Sequence, residues 1–380
     1  MKVYVEDTSI AARKAEIDIK LARVRELIDQ EGLSGVLLMK HQNFAWITAG
    51  SNSIVTLYVE LGVAYILVTK DTQYAITNVI EAPRMIQEEK LEELGFQLVV
   101  TDWYEDQIPG KIKEICGDLS NIACDMHYQN TKFMQDKINP LHYSLTENEI
   151  GRYMHLGDTL SQTLEEYIVT VRPGMTEYEI TGGLTNALWS KGIDQALFLV
   201  ATDKRAYDHR HAIPTGKVLE KHLCISVNGR YKGLITTVTR MVHFGKKDEE
   251  IARIFDVCTE VEARSIAAIQ VGQDDIAGFR ACKKAYEDLG HGDMWPLHGQ
   301  GGAQSYNNRD YMLTESSHRI TVPNQGYCFN PVINGAKAED AFIATENGPL
   351  MITKPFSFPA IEKNCGGTLV KFPNIVFVDS

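Results

Sequence analysis

Thr146 and Glu149 stand three residues apart, directly ahead of Ile150, Met154, Leu160, Leu164 and Ile168, which recur at helical spacing. A hydroxyl and a carboxylate at that separation can each accept the other residue's backbone N–H, so the pair predicts a helix start. The motif returns at Thr176 and Glu179, behind a Pro173–Gly174 break, with Ile180, Leu184 and Leu188 following. Further helices are expected from about Glu250 to Ile269 and from Ile276 to Leu289. Apolar runs at Leu197–Val200, Cys224–Val227, Leu234–Val242 and Tyr327–Ile333 read as strands. Helices covering one side of a curved antiparallel sheet make an α+β layout for this half.

The first half alternates differently. Ile17, Leu21, Val24 and Ile28 share one helical face that ends at Gly32, and Val36–Met39 reads as a buried strand. Val63–Val68 and Gln73–Thr77 flank Lys70–Asp71 as a hairpin. Pro83–Leu94 is expected as a helix, and Phe96–Val100 and Ile122–Asp125 as strands. This is an α/β domain with a mixed sheet. The boundary is expected between Asn139 and Thr146, giving domains 1–143 and 144–380.

A chain of 380 residues can hold two cores of this kind. Its net charge of −12 argues against nucleic acid as a partner, because phosphate binding draws on a basic surface. No apolar h-region opens the chain and no long apolar run spans a membrane. The cysteines, Cys116, Cys124, Cys224, Cys258, Cys282, Cys328 and Cys365, are scattered, with no C-x-x-C pair. They read as reduced packing thiols, and a cytoplasmic location is expected.

Five segments carry a resemblance to a known family. Val171–Arg–Pro–Gly–Met–Thr–Glu–Tyr–Glu–Ile180 resembles the "PG-x-T-E-x-E" helix start of the creatinase/prolidase (pita-bread) family, and His211–Ala–Ile–Pro214 its "H-x-x-P" segment. Arg230–Tyr–Lys–Gly233 with Val238–Thr–Arg240 resembles its strand pair "R-Y-x-G…D-x-T-R-T". Leu297–His–Gly–Gln–Gly301 resembles "G-H-x-x-G", and Asn330–Pro331 with Ala338–Glu–Asp340 resembles "E-P" and "x-E-D-T". The order and spacing are the family's. Asn43–Phe–Ala–Trp46 with Thr48 matches the creatinase-type N-terminal domain more loosely.

The resemblance implies a creatinase-type α/β domain followed by a pita-bread domain. In metal-dependent members, two aspartates, a histidine and two glutamates hold two metal ions. Carried over, those positions fall on Ser226, Thr237, His298, Asn330 and Glu339. Three of the four carboxylates are replaced by neutral groups, which implies a site without metal or other cofactor. In creatinase-like members a histidine at the position of His211 shuttles a proton. A glutamate at that of Glu339 steadies charge, and an arginine at that of Arg309 binds the substrate carboxylate. A second glutamate of such members is replaced here by Thr239.

The expected function is therefore metal-independent hydrolysis of a C–N bond in a small carboxylate-bearing molecule. His211, Glu339 and His298 are the catalytic candidates; Arg309, Asn330, Thr237, Ser226 and Trp46 are the substrate-binding ones. Trp46 and Tyr58 are candidate cleft walls, and a homodimer is expected. Blander readings stay open: a buried structural histidine for His298, a polar surface residue for His211, a strand salt bridge for Glu339, a surface pair with Asp310 for Arg309, and a core aromatic for Trp46. A metallopeptidase of the Xaa-Pro type, a lyase and a non-catalytic pita-bread binding protein remain alternatives.

Overall fold

The computed structural model describes residues 3–378. The chain divides into two compact units, one running from Glu6 to Glu149 and the other comprising Ile150 onward together with residues 3–5. The division falls inside the helix Glu147–Ile168, a few residues beyond the expected boundary.

The N-terminal unit is built on a six-stranded mixed sheet. Its order is Gln97–Thr101, Gln73–Asn78, Leu61–Val68, Gly35–Lys40, Ile122–Cys124, Lys132–Phe133. The helix Ile10–Glu31 buries Ile17, Leu21, Val24 and Ile28, and ends where Gly32 turns left-handed at φ 64°. A side chain there would be strained, so glycine is the natural stop. The hairpin closes across residues 69–72, with Val68 opposite Gln73. The helix expected over Pro83–Leu94 is shorter, Ala82–Gln87; Lys90 at φ 60° turns the chain, and Leu91 and Leu94 are buried from turns instead.

Both capping boxes form, one at the boundary between the units and one within the C-terminal unit. Glu149 accepts the Thr146 N–H at 2.8 Å while Thr146 Oγ1 accepts that of Glu149 at 3.2 Å; Thr176 and Glu179 repeat the exchange at 2.7 and 3.2 Å. A four-stranded sheet has the order Val376–Val378, Leu234–Phe244, His222–Tyr231, Asp194–Thr202. A five-stranded antiparallel sheet has the order Tyr311–Met312, Gly301–Ala303, Gln325–Phe329, Asp340–Thr345, Gly348–Met351. The two meet where the Thr239 N–H reaches the Glu339 carbonyl at 3.1 Å. This is the α+β pita-bread architecture. The strand expected to continue from Tyr327 to Ile333 stops at Phe329, because Pro331 has no N–H to give a ladder, and resumes as the short pair Val332–Ile333 with Ala336–Lys337.

Strand alternation decides what each face carries. On Leu234–Phe244, Thr237, Thr239 and Met241 share a face, and the paired strand sets Asn228 opposite Thr237 and Ser226 opposite Thr239. Further along that face, Met241 joins a core of Ile254, Phe255, Cys258, Cys282 and Tyr286 from the helices Glu249–Ala268 and Ile276–Asp288. The opposite face carries Arg240, whose Nε reaches Glu165 of the helix Glu147–Ile168 at 2.9 Å. Among the described residues no helix is long and apolar enough to cross a membrane.

Candidate active site

A pocket of about 210 Å³ in the C-terminal unit brings together most of the residues singled out in the sequence. His211, Ser226, His298, Arg309, Asn330 and Glu339 all line it, with Asn228, Asn308 and Lys337. A larger open pocket of about 560 Å³ in the N-terminal unit, beside Trp103 and Tyr104, is lined by no histidine, lysine, arginine or cysteine. The histidines and cationic groups therefore converge at the smaller one, while the larger carries the carboxylates of Asp102, Glu105 and Asp106.

The two histidines meet at the rim. His298 Nε2 lies 3.2 Å from His211 Nε2, so one ring donates to the other. His211 is exposed and His298 half-buried, with Nδ1 enclosed and without a partner. Burial, and then the nearby Lys337 ammonium, lowers the His298 pKa to about 3, so its ring is neutral near pH 7. His298 is followed by Gly301 and Gly302, where a Cβ would stand 2.5 Å from the Cys328 carbonyl oxygen and 2.1 Å from that of Tyr311. Only glycine lets this strand approach its neighbours so closely, and that approach fixes the segment carrying His298.

Glu339 lies deep in the pocket. Its Oε2 accepts from Thr239 Oγ1 at 2.6 Å and from Lys337 Nζ at 2.8 Å, and Arg309 Nη2 lies 3.8 Å from Oε1. Burial alone would raise its pKa; the cations Lys337 and Arg309 outweigh that and hold it below the usual carboxylate value. The Glu339 carboxylate is thus engaged by Lys337, Thr239 and Arg309, while His211 faces His298. Arg309 also departs from a surface pair with Asp310, whose carboxylate accepts from Ser305 Oγ at 2.7 Å and Asn307 Nδ2 at 2.9 Å.

The neutral positions are arranged as hydrogen-bonding groups. Ser226 Oγ lies 2.6 Å from Thr239 Oγ1 and accepts from Lys337 Nζ at 3.1 Å. Asn228 donates to Asn308 Oδ1 at 3.1 Å. The side-chain carbonyls of Asn228 and Asn330 are buried with no hydrogen-bond partner, leaving acceptors for a ligand. Two expected substrate contacts are corrected. Thr237 is buried and does not line the pocket, and its hydroxyl accepts from Gln304 Nε2 at 2.7 Å. Trp46, on the helix His41–Ile47, is fully buried against His142 and the Lys20 ammonium, so it offers no surface to a ligand. Tyr58 is 96% exposed.

Lys337 is the residue that sequence reasoning missed. A signal existed: it is the one charged side chain in the run Val332–Ala338, and it precedes Glu339 by two residues, the spacing that puts side chains on one face of an extended segment. Cys224, close enough to feel the charges of Lys337 and Glu339, is pushed up to about 12 by burial and is a packing thiol.

The donor set does not fit a pair of divalent ions. Such ions need several anionic oxygens, and here Glu339 and His298 stand among hydroxyls, amides and an ammonium. Among the described residues, no group of three or more His, Cys, Asp and Glu side chains is arranged to hold a metal ion.

A curved sheet backed by helices, with a histidine-lined pocket on its face, defines a pita-bread protein of the creatinase/prolidase type. Residues 153–346 match the sequence profile of metallopeptidase family M24, and the chain belongs to that family of hydrolases. It is 22% identical over 363 residues to the uncharacterized peptidase YqhT of Bacillus subtilis, covering 88% of this chain and 98% of that one. It is 22% identical over 356 residues to the Xaa-Pro dipeptidase of Pyrococcus furiosus, covering 88% and 97%. The Xaa-Pro dipeptidase from Bacillus anthracis superposes with a TM-score of 0.75 at 19% identity, covering 90% and 98%.

Proposed function

We propose that the protein is a metal-independent hydrolase of a C–N bond in a small, carboxylate-bearing substrate. The observation that carries this reading is the His211–His298 contact at 3.2 Å in the same pocket as Arg309 and Glu339. Arg309 offers a planar fork that binds a substrate carboxylate. His298, held neutral, orients His211. His211 takes a proton from water as the water oxygen bonds to the substrate carbon. It then returns that proton to the nitrogen as the C–N bond breaks. Water supplies the oxygen on one product and the proton on the other.

A cytoplasmic homodimer belongs to the same reading, by resemblance to creatinase-like proteins. Sedimentation equilibrium giving only monomer at micromolar concentration would remove the dimer.

The family and its Xaa-Pro dipeptidase relatives favour a second reading, a metal-dependent dipeptidase. One experiment separates the two. Protein purified without chelator is analysed for Mn, Co, Zn and Fe, then screened on Xaa-Pro dipeptides and on small N-substituted amino acids, with and without EDTA. Substoichiometric metal and EDTA-insensitive turnover of a small carboxylate support the proposal. Stoichiometric metal, with activity lost on chelation and restored by added Mn²⁺ or Co²⁺, overturns it in favour of the dipeptidase.

A further inference from the structure

We propose that Lys337 is the built-in cation of this site: its ammonium takes the place and the charge that divalent ions hold in metal-dependent relatives, and so keeps such ions out.

The placement comes first. Ser226 and Glu339 occupy two of the five positions that carry metal ligands in the family, by the resemblance described above. The Lys337 ammonium bonds to both, to Ser226 Oγ at 3.1 Å and to Glu339 Oε2 at 2.8 Å. A single nitrogen thus bridges two side chains that would otherwise face a metal. It is held there by the short strand Ala336–Lys337, paired with Val332–Ile333, and the residue is 6% exposed.

The hydrogen bonds then close into a ring. An ionised Glu339 can only accept, so Thr239 Oγ1 donates to it at 2.6 Å. Thr239 therefore accepts from Ser226 across their 2.6 Å contact. Ser226, its proton spent, accepts from Lys337, which also donates to Glu339. Every proton in the ring Lys337–Ser226–Thr239–Glu339 has one direction, and the ring needs an ammonium to start it. The Ser226 hydroxyl then coordinates the cation, and the Thr239 hydroxyl links Ser226 to Glu339.

Charge points the same way. With neutral groups at Ser226, Thr237 and Asn330, the one remaining carboxylate of the set already faces two fixed cations, Lys337 at 2.8 Å and Arg309 at 3.8 Å. A divalent ion added beside Nζ would meet repulsion in a poorly solvated place with too few anionic oxygens to offset it.

Lysine has three N–H donors. Two are used in the ring, and the third has no partner among the described residues, while Lys337 lines the pocket. On the C–N hydrolase reading, and resting on it, this N–H supplies positive charge to the oxygen on which negative charge develops as water attacks.

The test is calorimetric titration with MnCl₂ and CoCl₂ after chelator treatment and its removal, on wild type, Lys337→Arg, Lys337→Met and Lys337→His, each checked by thermal melting. Wild type and Lys337→Arg keep the cation and should show no saturable binding. Lys337→Met removes the repulsion. Lys337→His also sets a further imidazole beside Glu339 and His298, and should bind about one equivalent saturably where wild type does not, since groups around a metal change its affinity by about 10-fold or more. Should Lys337→His fail to fold, Lys337→Met still decides, since it should bind measurably better than wild type. A folded Lys337→Met or Lys337→His protein that binds no better than a non-binding wild type overturns the role of Lys337 and leaves the metal-free reading standing. Saturable, stoichiometric binding by the wild type overturns both.

Discussion

Glu262 Oε1 accepts the backbone N–H of Asp340 at 2.7 Å, so a fully buried carboxyl from the helix Glu249–Ala268 holds the strand one residue beyond Glu339. Its Oε2 is buried without a partner. Burial, and then the neighbouring Asp340, raises the Glu262 pKa well above the ordinary carboxylate value, and burial raises that of Asp340 as well. Floor and framework of the site are thus joined through a carboxyl whose proton folding makes harder to lose.

That arrangement sets a pH dependence. Glu262 keeps its proton in the folded state after the unfolded chain has lost it, so the unfolded state binds fewer protons and stability falls as pH rises. The window opens at the unfolded carboxylate pKa and closes at the raised folded one. Glu262→Gln keeps the acceptor for Asp340 and has no proton to lose. Relative to wild type, this variant should gain thermal stability as pH rises through that window. Parallel melting curves for the two proteins between about pH 4 and 8, around the ordinary glutamate value, would show that Glu262 is not held protonated.

Thr239→Val tests the hydroxyl that serves both Ser226 and Glu339. It keeps the side-chain shape and removes a bond to a buried carboxylate, which should cost about 1.5–3 kcal/mol in denaturant unfolding. A loss near zero would mean that Lys337 and Arg309 alone satisfy Glu339.

The sequence was most legible where structure is local. The capping boxes at Thr146–Glu149 and Thr176–Glu179 form because hydroxyl, carboxylate and N–H lie within one turn of each other. The pocket was legible as far as motif spacing carried it: His211, His298, Arg309, Asn330, Ser226 and Glu339 line one cavity. What escaped depends on partners distant in the chain. Lys337 acquires its meaning from Ser226 on another strand. Thr237 loses its ligand role to Gln304, and Trp46 to burial on a short helix that no side chain caps at Lys40. The hairpin Ala360–Cys365 with Thr368–Pro373 also went unread, since its alternation is interrupted by charged residues at Glu362, Lys363 and Lys371.

Once a substrate is found, His211 and Arg309 should separate kinetically. His211 is exposed, so His211→Ala should melt like wild type while kcat falls by ~10²–10⁴, the usual worth of a general acid–base group. Arg309→Ala removes an anchor present before and during reaction, so KM should rise with kcat little changed. Near-normal turnover in a folded His211→Ala protein would move the proton transfer to another group.

Arg240 supplies the sharpest stability test. It is 1% exposed, and its Nε lies 2.9 Å from Glu165 Oε1 while Nη1 lies 3.3 Å from Asp340 Oδ1. Glu165 Oε2 in turn accepts the backbone N–H groups of Phe356, Ser357 and Phe358 at 2.9, 2.7 and 3.0 Å. The guanidinium thus ties the helix Glu147–Ile168 to the strand that bears the site and, through Glu165 and its own bond to the Lys354 carbonyl at 3.2 Å, to the loop that follows. Arg240→Met fills similar volume and leaves Glu165 buried without its counter-charge. Loss of one partner from such a pair costs about 3–5 kcal/mol, and denaturant unfolding of the variant should show a loss on that scale. Arg240→Lys keeps the charge without the two-pronged geometry and should fall between. A fully stable Arg240→Met protein would show that the backbone bonds to Glu165 hold this corner without the arginine.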